Sequence, residues 1–330
     1  MKMFFMLLCN RHFHDYYKCT EVKKIAVTAP YLQIEWDEYK EHLAGFDVIV
    51  PKVVERFEED EMIKILAQGI EGIICGDDRI TKKVVDSAPE LKLIVKWGTG
   101  IDSIDKAYAE SKGIKVLNTP NAFTIPVSES TIGLMLTILR KIDENNRLMH
   151  NGHWFKPRGY TLNELTTGII GYGNIGSEVA RKLSVFGDNV LWHDIKSDEE
   201  LRKLNRTFYG KRVDLKALLA LSDVITLHCD LNETTHHLVN SSLIKGMKDG
   251  VIIINTARGP IVKEDDLIES IVNRKVSYVG LDVYEKEPLP EGSLLRKMDN
   301  CILLSHNTNS SHTAWENVHL NSISMLKSNI

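Results

Sequence analysis

From Lys23 onward, short runs of β-branched residues alternate with longer stretches whose apolar positions recur every three to four residues. Runs of the first kind predict strands and stretches of the second kind helices; their regular alternation predicts βαβ units and parallel sheets. In the first half the predicted strands are KIAVTA (24–29), DVIV (47–50), EGIIC (71–75), LKLIVKW (91–97) and IKVLN (114–118). Between them EDEMIKILAQG (59–69) predicts a helix with Met62, Ile63, Leu66 and Ala67 on one face. NTPNAFTIPVSES (118–130) brings two prolines and several cap-type residues, and reads as a linker and helix start. The helix that follows Ser128, ESTIGLMLTILRKI, is apolar nearly all round, which predicts burial.

The pattern then starts again. TGIIGYG (167–173), NVLWHD (189–194), DVITLH (223–228), GVIIINTA (250–257), VSYVGLDV (276–283) and CILLS (301–305) predict six strands with helices between them. CILLS is expected to be a buried core strand, and residues 312–330 a closing helix. The fold class is therefore α/β, with doubly wound parallel sheets, and 330 residues are enough for two domains.

Composition narrows the classes. With 43% apolar and 26% charged residues and a net charge of −4, nothing attracts the chain to nucleic acid or an anionic membrane. Cys9, Cys19, Cys75, Cys229 and Cys301 lie far apart without a CxxC, which favours reduced thiols and a cytoplasmic setting. MKMFFMLLCN begins like a secretory signal, but its apolar run is short and RHFHDYYK follows in place of a cleavage site. Residues 1–22 read as an irregular extension. No run approaches the roughly 18 apolar residues of a membrane span.

Gly171, Gly173 and Gly176 form GYGNIG between an apolar strand and the helix SEVARKLSVF. In that setting the glycines serve a tight turn, close approach to a pyrophosphate and close helix packing, and Asn174 and Ile175 between them are expected to bind the cofactor. Asp194 closes the next strand, where a carboxylate accepts from ribose hydroxyls and repels a 2′-phosphate. The cofactor expected is NAD.

A nicotinamide cofactor working on a hydroxyl or carbonyl also needs a proton moved, a task suited to histidine. Three polar residues follow predicted strand ends in the second half: Arg258 after IIINTA, Glu287 after GLDVYEK and His306 after CILLS. Each also has a bland reading, as a surface charge, a loop cap and a structural histidine. Together they form a coherent set, because arginine offers a planar fork to a carboxylate and a carboxylate beside histidine favours the protonated ring. His228, His236 and His237 suggest a metal to the eye, but adjacent histidines point apart and no acidic partner has ligand spacing. No metal is expected.

KWGTGIDSID (96–105), NTPNAFTIPVSE (118–129), TGIIGYGNIG (167–176), NTARGPIV (255–262), GLDVYEKEP (280–288) and ILLSH (302–306) together resemble the D-isomer-specific 2-hydroxyacid dehydrogenase family. The resemblance runs from about Lys24 to Asn317 and is greatest to the D-3-phosphoglycerate dehydrogenase-like branch, in a short form without the C-terminal regulatory domain. It implies an NAD-dependent enzyme transferring hydride between cofactor and a small 2-hydroxy or 2-oxo acid. Arg258 would hold the substrate, Glu287 would pair with the histidine, and His306 would be the general acid/base. The loop Gly98–Thr99–Gly100 would offer amides to the substrate carboxylate, with Lys96 where that branch carries a basic residue near a phosphate. Asp282 would face the nicotinamide amide, while Thr99, Cys229, Thr256, Ala257, Asn307, Thr308 and Asn309 would line the cofactor. The domains would interleave, residues 23–123 and 302–330 binding substrate and 124–301 binding NAD, about a cleft that closes by a hinge. A homodimer through the cofactor domain's long helix is also implied, and the apolar run 131–142 is compatible with it.

The chain departs from the family in two places. Ser305 stands where proline usually precedes the histidine, with NTNS in place of a small, glycine-containing run after it; HCDL (228–231) replaces the common HxPL. The substrate stays open. Lys96 favours phosphoglycerate, whereas Asp77 and Asp78 in CGDDRIT (75–81) oppose a phosphate, leaving hydroxypyruvate, glyoxylate or a bulkier 2-oxo acid. A non-catalytic NAD(H)-sensing protein on the same fold would have no need of Arg258, Glu287 and His306 together.

Overall fold

The computed structural model describes residues 22–187, 189–204 and 207–330. Of the extension at residues 1–22, all but Val22 lies outside the described residues, as do Cys9 and Cys19. The described chain divides into two compact units.

The first unit takes in residues 22–95, Asp105–Leu117 and Ile323–Ile330. Its sheet contains β1 (Lys24–Val27), β2 (Asp47–Ile49), β3 (Gly72–Cys75), β4 (Leu93–Lys96) and β5 (Lys115–Leu117), in the order β2-β1-β3-β4-β5. β1 pairs in parallel with β2 and β3, and β4 with β5. Every residue of β3 and β4 is buried, which is why both read as unbroken apolar runs rather than alternating ones. The helix Glu59–Leu66 opens with a reciprocal cap between Glu58 and Glu61 and buries Met62, Ile65 and Leu66. Ile65, not Ala67, completes its inner face; Ala67 is exposed at the helix end. Asp78 is fully buried, and its carboxylate accepts from the Thr28 hydroxyl and the amides of Phe57 and Gly76. It is bound up between the end of β1, the Phe57 segment and its own loop, and offers no surface charge against a phosphate.

The second unit comprises Lys96–Ile104 and Asn118–Ser322. Seven parallel strands run in the order β12-β11-β10-β9-β6-β7-β8: β6 (Thr166–Ile170), β7 (Asn189–His193), β8 (Lys211–Arg212), β9 (Val224–Leu227), β10 (Val251–Asn255), β11 (Val276–Leu281) and β12 (Cys301–Leu303). The sequence pattern missed β8, whose two residues carry no period. β12 is half-buried rather than a core strand, because at the sheet edge it has a neighbour on one side only.

The apolar helix begins at Thr124, four residues before the expected Ser128, with Pro126 accommodated in its first turn. Its residues Ile132, Leu134, Met135, Ile138 and Leu139 pack with Ile169, Val179, Ile252 and Ile254 in this unit's own core. The buried residues of the run 131–142 are thus packed within this unit. Gly280 of β11 permits the close packing, since a Cβ there would stand 2.9 Å from Ile254 and 3.4 Å from Ile138. The closing helix spans His312–Asn329. Among the described residues, no helix is long and apolar enough to cross a membrane.

Candidate active site

β6 lies where the strand order reverses, with β7 and β8 on one side and β9 to β12 on the other. Ligands of such sheets bind beyond the carboxyl ends at that point. Gly171 leaves β6 with a φ of 94°, and a Cβ on it would lie 2.6 Å from the Cys229 amide nitrogen. A Cβ on Gly176 would lie 2.0 Å from the Gly171 carbonyl oxygen, so the helix Asn174–Val185 starts hard against the turn. Gly173 caps that helix without a side-chain hydrogen bond and has open space where a Cβ would be. The first-turn amides of Asn174, Ile175 and Gly176, at the positive end of the helix, fit a pyrophosphate.

Asp194 follows β7. Its carboxylate accepts from the Tyr172 amide at 2.6 Å and the Lys196 amide at 2.8 Å, which binds it to the glycine turn while leaving lone pairs for ribose hydroxyls. Burial pushes the half-buried Cys229 thiol up to about 11, so it lines this region as a neutral group. Thr256 is buried with its hydroxyl 3.0 Å from that of Thr131. A cavity of about 460 Å³ opens beside Asn174, lined by Thr124, Ser177, Arg181 and Tyr209 among others; Arg258, Glu287 and His306 do not line it.

Those three residues follow β10, β11 and β12, which are neighbours in the sheet, so they share one rim. His306 Nδ1 lies 3.0 Å from Glu287 Oε2, with the side chains 16% and 12% exposed. Glu287 Oε1 accepts from the Tyr284 amide at 2.9 Å, which fixes the carboxylate in its own turn. An ionised Glu287 can only accept, so it selects the tautomer with hydrogen on Nδ1 and leaves Nε2 for chemistry. Asp282 is 1% exposed, and both of its oxygens accept from the turn that follows His306: from the Asn307 amide, the Thr308 amide and the Thr308 hydroxyl. The expected nicotinamide contact would have to share a carboxylate already engaged in that way. Asn309 accepts from the Trp315 indole at 3.2 Å.

Arg258 is held from two sides. Its Nε donates to both oxygens of Asp102, at 3.1 and 3.2 Å, and its Nη1 donates to the Ala257 carbonyl at 2.9 Å. The Asn255 side chain bridges the turn, donating to the Arg258 carbonyl and accepting from the Ala257 amide. Nη2 lies against the other loop, 1.9 Å from where a Gly100 Cβ would be. The carbonyls of Gly98 and Thr99 accept from the Thr119 amide and the Asn118 side chain. A planar trans peptide sets its N–H opposite its C=O, so the Thr99 and Gly100 amides point the other way. Lys96, at the end of β4, is 5% exposed and its ammonium donates to the Trp97 carbonyl at 3.0 Å.

Asp102 and Asn255 were not singled out in the sequence. Asn255 sits within NTARGPIV, and Asp102 within GTGID, yet nothing local connects Asp102 to an arginine 156 positions away. A second histidine–carboxylate pair, His237 with Glu285, was also not foreseen.

Comparison with known proteins follows the same lines. Residues 132–308 match the model of the NAD-binding domain of D-isomer specific 2-hydroxyacid dehydrogenases. The chain is 39% identical over 76% of its length to a hydroxypyruvate reductase of Thermotoga maritima, covering 82% of that protein. It is 35% identical over 89% of its length to a D-3-phosphoglycerate dehydrogenase of Archaeoglobus fulgidus, of which it spans only 55%. Among solved structures, D-lactate dehydrogenase of Aquifex aeolicus, complexed with NAD and lactic acid, superposes with a TM-score of 0.79 at 30% identity, covering 93% of this chain and 95% of that one.

Proposed function

Because the chain belongs to the D-isomer specific 2-hydroxyacid dehydrogenase family, an NAD-dependent oxidoreductase family acting on CH–OH donors, we propose that His306 is its proton-transfer group, Glu287 the residue that orients it, and Arg258 the anchor for the substrate carboxylate. The observation that carries this reading is the His306–Glu287 pair at 3.0 Å on the rim that also bears Arg258. The nicotinamide cofactor, when bound, would supply the hydride as NADH or accept it as NAD+. Asn174, Ile175 and Gly176 would hold its pyrophosphate and Asp194 its ribose. With Nδ1–H on Glu287, the protonated His306 ring would give its Nε2 proton to the substrate carbonyl in reduction, and the neutral ring would take a proton at Nε2 from the hydroxyl in oxidation. Arg258, pinned by Asp102, presents a fixed guanidinium plane to the carboxylate, and the Thr99 and Gly100 amides add donors beside it.

The substrate in this reading is a short, unphosphorylated 2-oxo acid such as hydroxypyruvate or glyoxylate. The burial of Lys96 supports it: an ammonium engaged with the Trp97 carbonyl braces the loop rather than meeting a phosphate dianion. The thiols of Cys229 and Cys301, neither of them in a disulfide, fit a cytoplasmic setting. A homodimer belongs to the same reading, formed over Trp154, Phe155 and Tyr160, which are 81%, 60% and 59% exposed.

The test is NADH consumption by the purified protein on glyoxylate, hydroxypyruvate, 3-phosphohydroxypyruvate and a branched 2-oxo acid, with His306→Ala alongside. Turnover of one short acid is expected, reduced about 10²–10⁴-fold in the variant. A His306→Ala protein as active as its parent would overturn the assignment, and preference for the phosphorylated acid would overturn the substrate.

A further inference from the structure

His306 stands on uncommon backbone. Its φ of 53° lies in the left-handed region, which side-chain-bearing residues occupy uncommonly, though histidine more often than most. Asn307–Thr308–Asn309–Ser310 follows it, with no glycine to relax the chain.

Asp282 is bonded to this turn at several points. Its backbone carbonyl accepts from the His306 amide at 2.8 Å. Its carboxylate is 1% exposed, and a charge so far from water persists only when donors surround it. Three donors reach it, all from the two residues after His306: the Asn307 amide at 2.8 Å, the Thr308 amide at 3.1 Å and the Thr308 hydroxyl. Thr308 supplies two of the three and is itself 3% exposed. Its carbonyl accepts from the Ser130 hydroxyl at 3.3 Å, which ties the turn to the helix Thr124–Leu139. One acidic residue therefore grips the chain at His306 and again just beyond it, and among the described residues the Thr308 hydroxyl is the side-chain donor on that grip.

We propose that Thr308 is a positioning residue for His306: by completing the buried Asp282 carboxylate, its hydroxyl holds the left-handed turn from which the imidazole reaches Glu287. A glycine at 308 would give Asp282 the amide alone. Valine, equal to threonine in shape, would leave Oδ2 with only the longer amide bond, and the carboxylate would draw in water or let the turn go. The inference rests on the reading of His306 as the proton-transfer group and adds how a glycine-free turn keeps that ring in place. It also gives NTNS a role: the polar run is the clamp.

The experiment compares the full chain with Thr308→Val and Thr308→Ser. Amide hydrogen exchange of the segment spanning 303–311, without ligand, reads the turn directly. Binding of NADH alone by fluorescence titration reads the cofactor site, and kcat and KM on the best 2-oxo acid read the chemistry. Thr308→Val is expected to speed exchange at residues 306–309 and to lower kcat about tenfold, with KM and the NADH Kd within about twofold, the loss expected of one hydrogen bond to a charged group. Thr308→Ser, which keeps the hydroxyl, is expected to restore the slow exchange of the parent and most of its kcat. Parental exchange and kcat in Thr308→Val would overturn the proposal. So would weaker NADH binding with kcat intact, which would give the hydroxyl to the cofactor. If Thr308→Val does not fold, a loss of most of the kcat in Thr308→Ser would overturn it by showing that the methyl group, not the hydroxyl, matters. A parent protein that turns over no 2-oxo acid would instead refute the functional reading, while the exchange measurement would still decide whether Thr308 holds the turn.

Discussion

Two histidine–carboxylate pairs hang from one short loop. Glu285 meets His237 Nε2 and Glu287 meets His306 Nδ1, and both histidines sit at left-handed φ, 52° and 53°. By contact alone they are close to equivalent, yet their connections differ. The second oxygen of Glu285 accepts from the Glu264 amide and the His237 amide donates to the Pro260 carbonyl, each at 2.8 Å, so this pair stitches together the segment after Arg258. The second oxygen of Glu287 holds its own turn, and His306 stands past the carboxyl end of β12 on the rim with Arg258. The exposures also separate them, 34% and 31% against 16% and 12%. A histidine beside a glutamate is thus not a site; its place on the sheet decides what it can serve.

The largest effect that could break this contrast is the one at His306. If the loss of about 10²–10⁴ in turnover expected of His306→Ala were matched by His237→Ala, position on the rim would not be what distinguishes the pairs. The next concerns the rim itself. An alanine Cβ at Gly100 would stand 1.9 Å from Arg258 Nη2 and 3.0 Å from Asp102 Oδ1, both at the ends of flexible side chains. Gly100→Ala should therefore fold, but displace the guanidinium by an ångström or more. A fall of about 10²-fold in kcat/KM is expected, with NADH binding kept. Unchanged kcat/KM would remove Arg258 as the anchor and reopen the role of the neighbouring His237–Glu285 pair.

How far the sequence foretold this arrangement depended on range. Buried β-branched runs such as those of β3, β6 and β10 announced themselves, because parallel strands covered on both faces are continuously apolar. That Arg258, Glu287 and His306 share one rim was legible because each follows a predicted strand, and strand ends of a doubly wound sheet converge. Asp102 was not, since its bond to Arg258 depends on how two distant segments meet. His237 was hidden by its doublet with His236, whose direction no spacing reveals; the backbone turns it toward Glu285 while its ring stays 4.0 Å from that of His236. The Thr308–Asp282 clamp looked only like a departure from a pattern, because a hydroxyl's partner is set by the turn it closes.

A third kind of histidine sharpens the contrast through pH. Burial drives His228 down to about 3 and His319 down to about 4; they lie against the Thr226 hydroxyl and the Trp97 indole rather than a carboxylate. Both are held neutral in the fold, whereas the unfolded chain binds their protons below its ordinary value of about 6.5. Unfolded protein then carries more protons, so the stability they lend is complete above about pH 6.5 and is lost as pH falls toward 4 and 3. Each adds up to about 1.4 kcal/mol per pH unit to that slope. Denaturation midpoints from pH 7 to 4 should fall less steeply for His319→Gln than for the parent; an equal slope would show that His319 is not held neutral.

The smallest expected change tests the structural member of the twin pairs. His237→Gln keeps a donor for Glu285 and removes the ring, while the Glu264 amide still satisfies the second oxygen. Because both side chains are about one third exposed, water can take up the lost contact, and a cost of only about 0.5–1.5 kcal/mol is expected. Glutamine must also occupy the left-handed backbone that His237 holds, which places the cost at the upper end of that span. Turnover at saturating substrate should stay within about twofold, since Arg258 is still fixed by Asp102 and by the Asn255 bridge. A folded His237→Gln protein with normal stability but much reduced turnover would mean that Glu285, not only Glu287, reaches the chemistry through its histidine.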